Sequence, residues 1–266
     1  MAVAIDHSID FDGHDWCLWV GVDQAAAAND ELGRYGQENR PAPAPPAQPL
    51  RIDSGWLGVL GYLLVIWSLP WLESQSALGV DWRAAGVMDA ARVSAGEWWR
   101  AVTALTLHGD IGHLMANSLF GAVFGLFVGR YLGSGFGWLL VLGGGVLGNL
   151  ANAAVQSDGF RSLGASTATF AALALVGTYV WRRGYLRGTS WRRRFAPVFG
   201  AIALLAYTGF GGENTDVVAH VTGFLAGSLL GVAAAAIDLR RLGSSGQWLC
   251  GAAALVLVTA AWVRAL

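Results

Sequence analysis

Four residues near the starts of three apolar segments are the best candidates for chemistry in this chain. His113 and Asn117 begin one apolar run, Ser166 begins a second, and His220 lies near the start of a third. Histidine, with an unperturbed pKa of about 6.5, can take the proton of a serine hydroxyl near neutral pH and so activate a weak nucleophile. The Asn117 amide, the His113 imidazole and the Ser166 backbone N–H are candidate donors to an oxyanion. These residue types predict acyl transfer by a Ser166/His220 dyad.

The composition indicates an integral membrane protein. The 266 residues are 55% hydrophobic and 13% charged, with a mean hydropathy of +0.47, whereas soluble domains are about 45–50% apolar and about 25% charged. An unpaired ionisable group inside a membrane span costs roughly 2.5 kcal/mol or more, so a cluster of such groups indicates a functional site. The net charge of −1 gives no reason to expect nucleic acid as a partner. Cys17 and Cys250 are far apart, and we expect them to be unpaired, with no metal site.

Apolar runs of about 20 residues, the length that spans a bilayer, recur after residue 50. Residues 1–50 are polar and end in "RPAPAPPAQP", which predicts a soluble arm with an extended proline-rich linker. Within the arm, "DWCLWVGV" is compatible with a hydrophobic docking patch or a short strand. We predict seven spans, near residues 55–72, 112–130, 136–156, 164–181, 195–211, 216–237 and 247–264.

Arginine residues in the loops predict the orientation of the chain, since short cytoplasmic loops are enriched in Lys and Arg. The loop after span six contains Arg240 and Arg241. The loop after span four contains Arg182, Arg183, Arg187, Arg192, Arg193 and Arg194. Both loops are therefore expected in the cytoplasm, together with the N-terminus. The expected location is a cell membrane, as a multi-pass protein of the bacterial inner membrane. The long first loop would face outward, with Trp82, Trp98 and Trp99 in the membrane interface.

The candidate residues share one depth in the predicted membrane. Spans two, four and six all run from outside to inside, and at 1.5 Å per residue the four side chains lie roughly 5–10 Å below the outer surface. His113 and Asn117 are four residues apart and therefore lie on one helix face. Asp216 is expected to cap span six rather than to orient His220. Three separate segments thus bring their polar groups to one level, open to the outer face.

Glycine repeats predict which helices approach closely, because GxxxG patterns allow backbones to touch in lipid. The repeats are Gly121, Gly125 and Gly129 in span two, and Gly223, Gly227 and Gly231 in span six. His220 lies three residues before the second repeat. A hydrogen bond between Ser166 and His220 across such a close pair of helices is therefore expected. Asn149 and Asn152 in span three are interpreted as packing residues.

Four motifs in this order resemble the rhomboid intramembrane serine proteases. The resemblance covers residues 96–231, in "GEWWRAVTALTLHGDIGHLMAN", "LGASTATF" and "AHVTGFLAG". The matching residues are Trp99 and Arg100, then His108, His113 and Asn117, then Gly164 and Ser166, then Ala219, His220, Gly223 and Gly227. Each motif alone is weak, but the four together are specific.

The resemblance implies roles for individual residues. Ser166 would be the nucleophile and His220 the base, while His113 and Asn117 would line the oxyanion site. His108 would be structural, at the membrane interface. Many rhomboids have glycine and tyrosine where this chain has Thr167 and Phe170. The phenyl ring can still stack on the imidazole, but the shape of the substrate pocket is expected to differ.

The resemblance also implies the architecture and the activity. We expect an all-α polytopic bundle in which residues 51–240 form a six-helix core and residues 241–266 add one C-terminal span. The expected function is a serine endopeptidase that needs no cofactor and cleaves other membrane proteins in or next to their transmembrane segments, surrounded by lipid. The alternative is a catalytically inactive relative that binds membrane clients, in which His113 and Asn117 only join helices by hydrogen bonds. A transporter is disfavoured, because its polar groups would lie at the midplane.

Overall fold

The computed structural model describes residues 4–39, 51–185, 190–193, 195–196, 199–200, 203–204 and 216–266. Contacts between residues divide the chain into two compact units, Met1–Pro45 and Pro46–Leu266. The span predicted near 195–211 lies mostly outside the described residues, as do Arg187 and Arg194 of the preceding loop.

The first unit contains a hairpin and a helix. Strand β1 (His7–Phe11) pairs in antiparallel register with β2 (Trp16–Val20), and helix α1 (Ala25–Glu38) follows. The segment "DWCLWVGV" therefore contains a short strand, one of the two structures that its sequence allowed. Trp16 and Trp19 of this strand are largely exposed.

The described part of the second unit is helical, with a small pair of strands. Its helices are α2 (Trp56–Ser74), α3 (Trp82–Gly86), α4 (Ala90–Ser94), α5 (Arg100–Thr103), α6 (Ile111–Leu132), α7 (Phe136–Val155), α8 (Ser166–Arg182), α9 (Val217–Ala234) and α10 (Gly243–Ala265). Strands β3 (Met88–Asp89) and β4 (Arg161–Ser162) pair in antiparallel fashion.

The long helices identify a polytopic membrane protein. Among the described residues, α2, α6, α7, α9 and α10 are long and apolar enough to cross a bilayer. Helix α8 has 17 residues, which at 1.5 Å per residue is about 25 Å, and many of its residues are buried by its neighbours. Six of the predicted spans coincide with these helices to within a few residues at each end. The predicted class of fold, an all-α membrane bundle, is confirmed.

Helices α8 and α9 pack backbone to backbone along the glycine repeat of α9. A Cβ atom placed on Gly223 would lie 2.4 Å from the carbonyl oxygen of Thr167, and one on Gly227 would lie 2.2 Å from that of Ala171. Real Cβ atoms do not approach backbone this closely. The repeat therefore makes the close contact that the sequence predicted for this helix.

The glycine repeat of α6 contacts different helices from those of the candidate site. Gly121 lies against the ring of Tyr62, and Gly129 lies against Gly55 at the start of α2. Gly125 faces Trp138 of α7. The predicted close approach of α6 is therefore made with the first span and with α7 rather than with the helices that carry Ser166 and His220.

The long loop between α2 and α6 folds against the last helix. The rings of Trp82 and Trp262 lie 5.3 Å apart, and the Trp262 indole donates a hydrogen bond of 3.1 Å to Thr106. Trp82 is only 6% exposed. It was expected in the membrane interface; α10 covers it, and its depth in the membrane stays a prediction. Trp98, by contrast, is 47% exposed.

The contact between α8 and α9 makes a testable prediction. Gly227→Ala should destabilise the protein by about 1–3 kcal/mol, because the new methyl group meets backbone that cannot move aside. Gly143→Ala in α7 is the matched control, since nothing lies within 4 Å of its added Cβ, and alanine favours helix by up to about 1 kcal/mol. Thermal melting of the purified proteins in detergent measures both. Equal melting temperatures for the two variants would contradict the close contact.

Candidate active site

Ser166 and His220 meet across the junction of α8 and α9. The distance between Ser166 Oγ and His220 Nε2 is 2.8 Å, which is a hydrogen bond. Ser166 is the first residue of α8, and His220 is the fourth of α9. Close approach of the two helix backbones brings these side chains within reach. The predicted contact between them is present.

The His220 ring stacks on an aromatic ring, and no acid bonds its Nδ1 among the described residues. The ring of Phe170 lies 4.5 Å from the imidazole, with an interplanar angle of 17°. If Ser166 donates to Nε2, the ring proton is on Nδ1, which is buried without a hydrogen-bond partner in the described part of the chain. Within the described residues the site therefore contains a Ser–His contact with no acid bonded to the imidazole. The phenyl ring of Phe170 supplies the stacking that was expected of it.

The start of α9 is held by a polar contact from α7. The Asp216 carboxylate accepts the Ala219 N–H at 2.9 Å, and so caps α9 as predicted. Its other oxygen accepts from the Asn152 amide at 2.5 Å. Asn152 is completely buried. Its interpretation as a packing residue therefore needs one addition, because it also anchors the turn of helix that carries His220.

The Asn117 amide is a buried donor without an acceptor. Its Nδ2 has no hydrogen-bond partner among the described residues, and the residue is 5% exposed. The backbone carbonyl of Asn117 accepts a hydrogen bond of 2.9 Å from the Tyr62 hydroxyl, which fixes this turn of α6. Because buried polar groups are normally paired, an unpaired donor calls for an explanation. A negatively charged oxygen of a bound substrate would satisfy it.

His113 lies against the loop that leads into the serine. A Cβ atom on Gly164 would be 2.4 Å from Cε1 of His113, and Gly164 has φ of +133°. Both the space and the backbone angle therefore require glycine at this position. Asp110 caps α6 by accepting the His113 N–H at 2.8 Å, which sets the position of the first turn. The backbone of Ser166 adds a further donor, since the first N–H groups of a helix have no intrahelical acceptor.

The Trp99–Arg100 pair supports the loop before α6. The Arg100 side chain is 3% exposed and donates hydrogen bonds to the carbonyls of Ala84 and Val87. It also pairs with Glu97, and its hydrogen bond lowers the pKa of that carboxyl group. The ring of Trp99 lies 4.5 Å beneath the guanidinium of Arg264. These contacts are structural.

His108 is buried beside the site as a neutral ring. Its imidazole lies 5.2 Å from that of His113, edge to face, and neither of its nitrogens has a partner among the described residues. Burial, with a smaller contribution from His113, lowers the pKa of His108 to about 3. Its carbonyl accepts a hydrogen bond from Arg83. His108 is thus buried against His113, and its structural role stays a prediction.

Several supporting residues were not predicted from the sequence. Asp110 carried a detectable signal, because an aspartate directly before an apolar helical run is a typical N-cap. Nothing in the sequence indicated the contact between Tyr62 and Asn117, because aromatic residues are common in apolar spans. In the described ranges, no group of three or more His, Cys, Asp and Glu side chains is arranged to hold a metal ion.

Comparison with known proteins identifies the family. The family model described as "Rhomboid domain" matches residues 95–237 of this chain, which is more than half of its length and includes all four residues of the site. The chain belongs to the rhomboid family. Its relatives include the putative rhomboid protease YdcA of Bacillus subtilis (strain 168), which is 27% identical over 65% of this chain and 84% of that protein.

Two other relatives match over a smaller share of their own length. The rhomboid protease GluP of Bacillus subtilis (strain 168) is 32% identical over 64% of this chain and 32% of that protein. The rhomboid-like protease 2 of Toxoplasma gondii is 30% identical over 53% of this chain and 49% of that protein. The chain thus spans about a third and about half of these two relatives. The similarity is to rhomboid proteases in general.

The two departures from the common rhomboid pattern have structural explanations. Thr167 is 3% exposed, and its methyl group would lie within 3 Å of a Cβ atom on either Gly148 or Gly223. It therefore fills the gap between α7 and α9 rather than the space in front of Ser166. Phe170 keeps the aromatic contact with His220 described above. In this rhomboid, Thr167 and Phe170 both take part in the packing between the helices that carry Ser166 and His220.

Proposed function

We propose that this rhomboid protein is an intramembrane serine endopeptidase with Ser166 as nucleophile and His220 as general base. The observation that carries the proposal is the 2.8 Å contact between Ser166 Oγ and His220 Nε2 inside a helical membrane bundle. The unpaired amide of Asn117 supports it, because the reaction develops a negative charge that needs such a donor.

The proposed reaction has two halves. Ser166 Oγ attacks the carbonyl carbon of a peptide bond while its proton passes to Nε2 of His220. The carbonyl oxygen becomes an oxyanion, held by Asn117, His113 and the Ser166 N–H. As the intermediate collapses, His220 gives the proton to the leaving amine and an acyl-enzyme forms. Water then attacks the ester, His220 again takes and returns one proton, and the carboxylic acid leaves with Ser166 restored.

The proposed substrates are transmembrane segments of other proteins. A helix in lipid satisfies its own backbone groups and hides its carbonyls, so the substrate must unwind at the cut. Residues that weaken a helix are therefore expected near the cleavage site. Residues 51–240 would form the catalytic core, with 241–266 as an added span and 1–50 as a soluble arm. The N-terminus would be cytoplasmic, and the site would open to the outer face.

The dyad can be tested by labelling and by cleavage. Ser166→Ala and His220→Ala should both abolish cleavage of a transmembrane substrate, because nucleophile and base are each indispensable. A fluorophosphonate probe should label the wild type and not Ser166→Ala. Ser118→Ala in α6 is the control serine, and should label normally because its hydroxyl already donates to the Leu114 carbonyl.

Melting curves should show that the dyad variants remain folded. If either variant cleaves at the wild-type rate, the dyad is wrong. If the folded wild type neither cleaves nor labels while Ser166 and His220 are intact, the catalytically inactive alternative is favoured.

The oxyanion role can be separated from simple packing by comparing two buried asparagines. Asn117→Ala should reduce turnover by about 10²–10³ with only a small fall in melting temperature, and His113→Ala should behave in the same way. The control is Asn149→Ala, because the Asn149 amide donates to the Ala101 carbonyl at 3.0 Å. The Asn149→Ala protein should be less stable by about 1–3 kcal/mol, with an unchanged turnover per folded molecule.

Turnover on one substrate and a melting curve in detergent decide between the two roles. An Asn117→Ala protein that melts many degrees lower yet turns over normally would make this residue a structural link between helices.

The proposed orientation can be tested with reporters. A reporter fused after Arg183 should report the cytoplasm and one fused after Leu266 the opposite side, because the arginine-rich loops favour the cytoplasm. Activity of a pair of compartment-specific reporters, such as alkaline phosphatase and a fluorescent protein, measures both positions. If the two positions report the same compartment, the count of seven spans is wrong.

A further inference from the structure

A large cavity lies within the bundle, apart from the catalytic residues. Its volume is about 880 Å³, and its walls come mainly from α2, α7, α8 and α10. Among the described residues that line it are neither Ser166, His220, His113 nor Asn117. Cavities of about 300–1,000 Å³ are typical of small-molecule sites. The proposed peptidase reaction assigns no occupant to this one.

The walls of the cavity are apolar along most of its length. Helix α2 contributes Leu57 and Ile66, and helix α10 contributes Trp248 and Val258. From Leu57 to Ile66 the cavity follows α2 for about 13 Å, and it follows α10 further, at 1.5 Å per residue. The hydrocarbon core of a bilayer is about 30 Å thick, so one leaflet occupies about 15 Å. The cavity is therefore long enough for the acyl chains of one leaflet.

One end of the cavity carries two arginines. Arg51 and Arg240 both line it, and neither guanidinium has a carboxylate partner within the described ranges. Asp53 lies at the same end, but its oxygens accept hydrogen bonds from Ser134 and the Gly55 N–H. Guanidinium groups bind phosphate well, because their planar donors match its oxygens. This end therefore has the charge that an anionic head group requires.

A buried donor lies one turn deeper. Trp138 lines the cavity near the start of α7, and its indole N–H has no acceptor among the described residues. The esters of a glycerolipid lie just below the phosphate, where their carbonyl oxygens could accept this hydrogen bond. The order of groups along the cavity is thus two cations, one donor and a long apolar section.

We propose that the cavity binds one anionic glycerophospholipid from the leaflet on the side of Arg51 and Arg240. The phosphate lies between the two guanidinium groups, and an acyl chain fills the space between α2 and α10. Ala165, directly before Ser166, and Thr169, three residues after it on α8, line the far end of the cavity. The lipid therefore packs behind the turn of helix that carries the nucleophile. Binding to the folded state alone stabilises that state, and the stabilisation grows with the logarithm of the free lipid concentration above Kd.

Lipid retention can be measured by native mass spectrometry of the full chain. The protein is incubated in detergent with phosphatidylglycerol or with phosphatidylcholine of identical acyl chains. The wild type should retain one phosphatidylglycerol, at about tenfold or higher affinity than phosphatidylcholine, because both lipids carry the phosphate but only phosphatidylcholine adds a quaternary ammonium, which the two guanidinium groups repel. Arg51→Gln/Arg240→Gln should lose this preference. Arg182→Gln/Arg241→Gln removes the same charge outside the cavity, and should keep it.

The acyl-chain section is tested by filling it. Gly61 lines the cavity, and nothing lies within 4 Å of a Cβ atom added there. Gly61→Phe should therefore abolish lipid retention and the rise in melting temperature on adding phosphatidylglycerol. Gly143→Phe, at an equally open position outside the cavity lining, should leave both unchanged.

Three results would overturn the proposal: a wild type that retains no lipid, equal affinity for the two head groups, or full retention by a folded Gly61→Phe protein. If Gly61→Phe does not fold, the two arginine pairs decide alone, because their side chains are at the surface. If both double variants lost the preference for phosphatidylglycerol, the preference would come from the net charge of the protein rather than from the cavity, and the proposal would be wrong. None of these results depends on peptidase activity.

Discussion

The contact between the backbones of α8 and α9 is the constraint on which the candidate site depends. Gly223 and Gly227 lie directly against the carbonyl groups of α8, so the helix axes approach more closely than side chains would allow. Only at this separation can the short side chain of Ser166 reach an imidazole on the next helix. The 2.8 Å hydrogen bond to His220 is thus a consequence of residues that have no chemistry of their own.

Two kinds of buried polar side chain occur in the bundle: those that have a hydrogen-bond partner on another helix, and those that have a nitrogen without one among the described residues. Those that join helices are paired: Asn149 donates to a carbonyl of α5, and Asn152 donates to the cap of α9. Gln247 of α10 links the end of α6 to the start of α7. Its side-chain oxygen accepts the N–H groups of Gly135 and Phe136, and its amide nitrogen donates to the carbonyl of Leu132. In lipid an unpaired polar group is costly, so these pairs stabilise the fold. Asn117 and His220 instead keep one buried nitrogen each without a partner in the described residues.

Much of the architecture and the site could be predicted from the sequence. Hydropathy located six helices to within a few residues, because a span must be long and apolar whatever its neighbours are. Motif order and a shared depth selected Ser166 and His220. The glycine repeat of α6 shows where such reasoning stops, since a GxxxG pattern predicts a close neighbour without saying which helix it is. The burial of Trp82 was not predicted for the same reason, because an aromatic residue in a loop does not indicate which helix covers it.

The sequence by itself determined the class of fold, the family and the residues that can do chemistry, because these follow from hydrophobicity, residue type and order along the chain. The tertiary structure alone decided which groups meet. It paired Asn152 with Asp216, placed the Tyr62 hydroxyl against the carbonyl of Asn117, and left a cavity between α2 and α10. These features depend on the distances between segments that are remote in sequence, and no local pattern of residues encodes such distances.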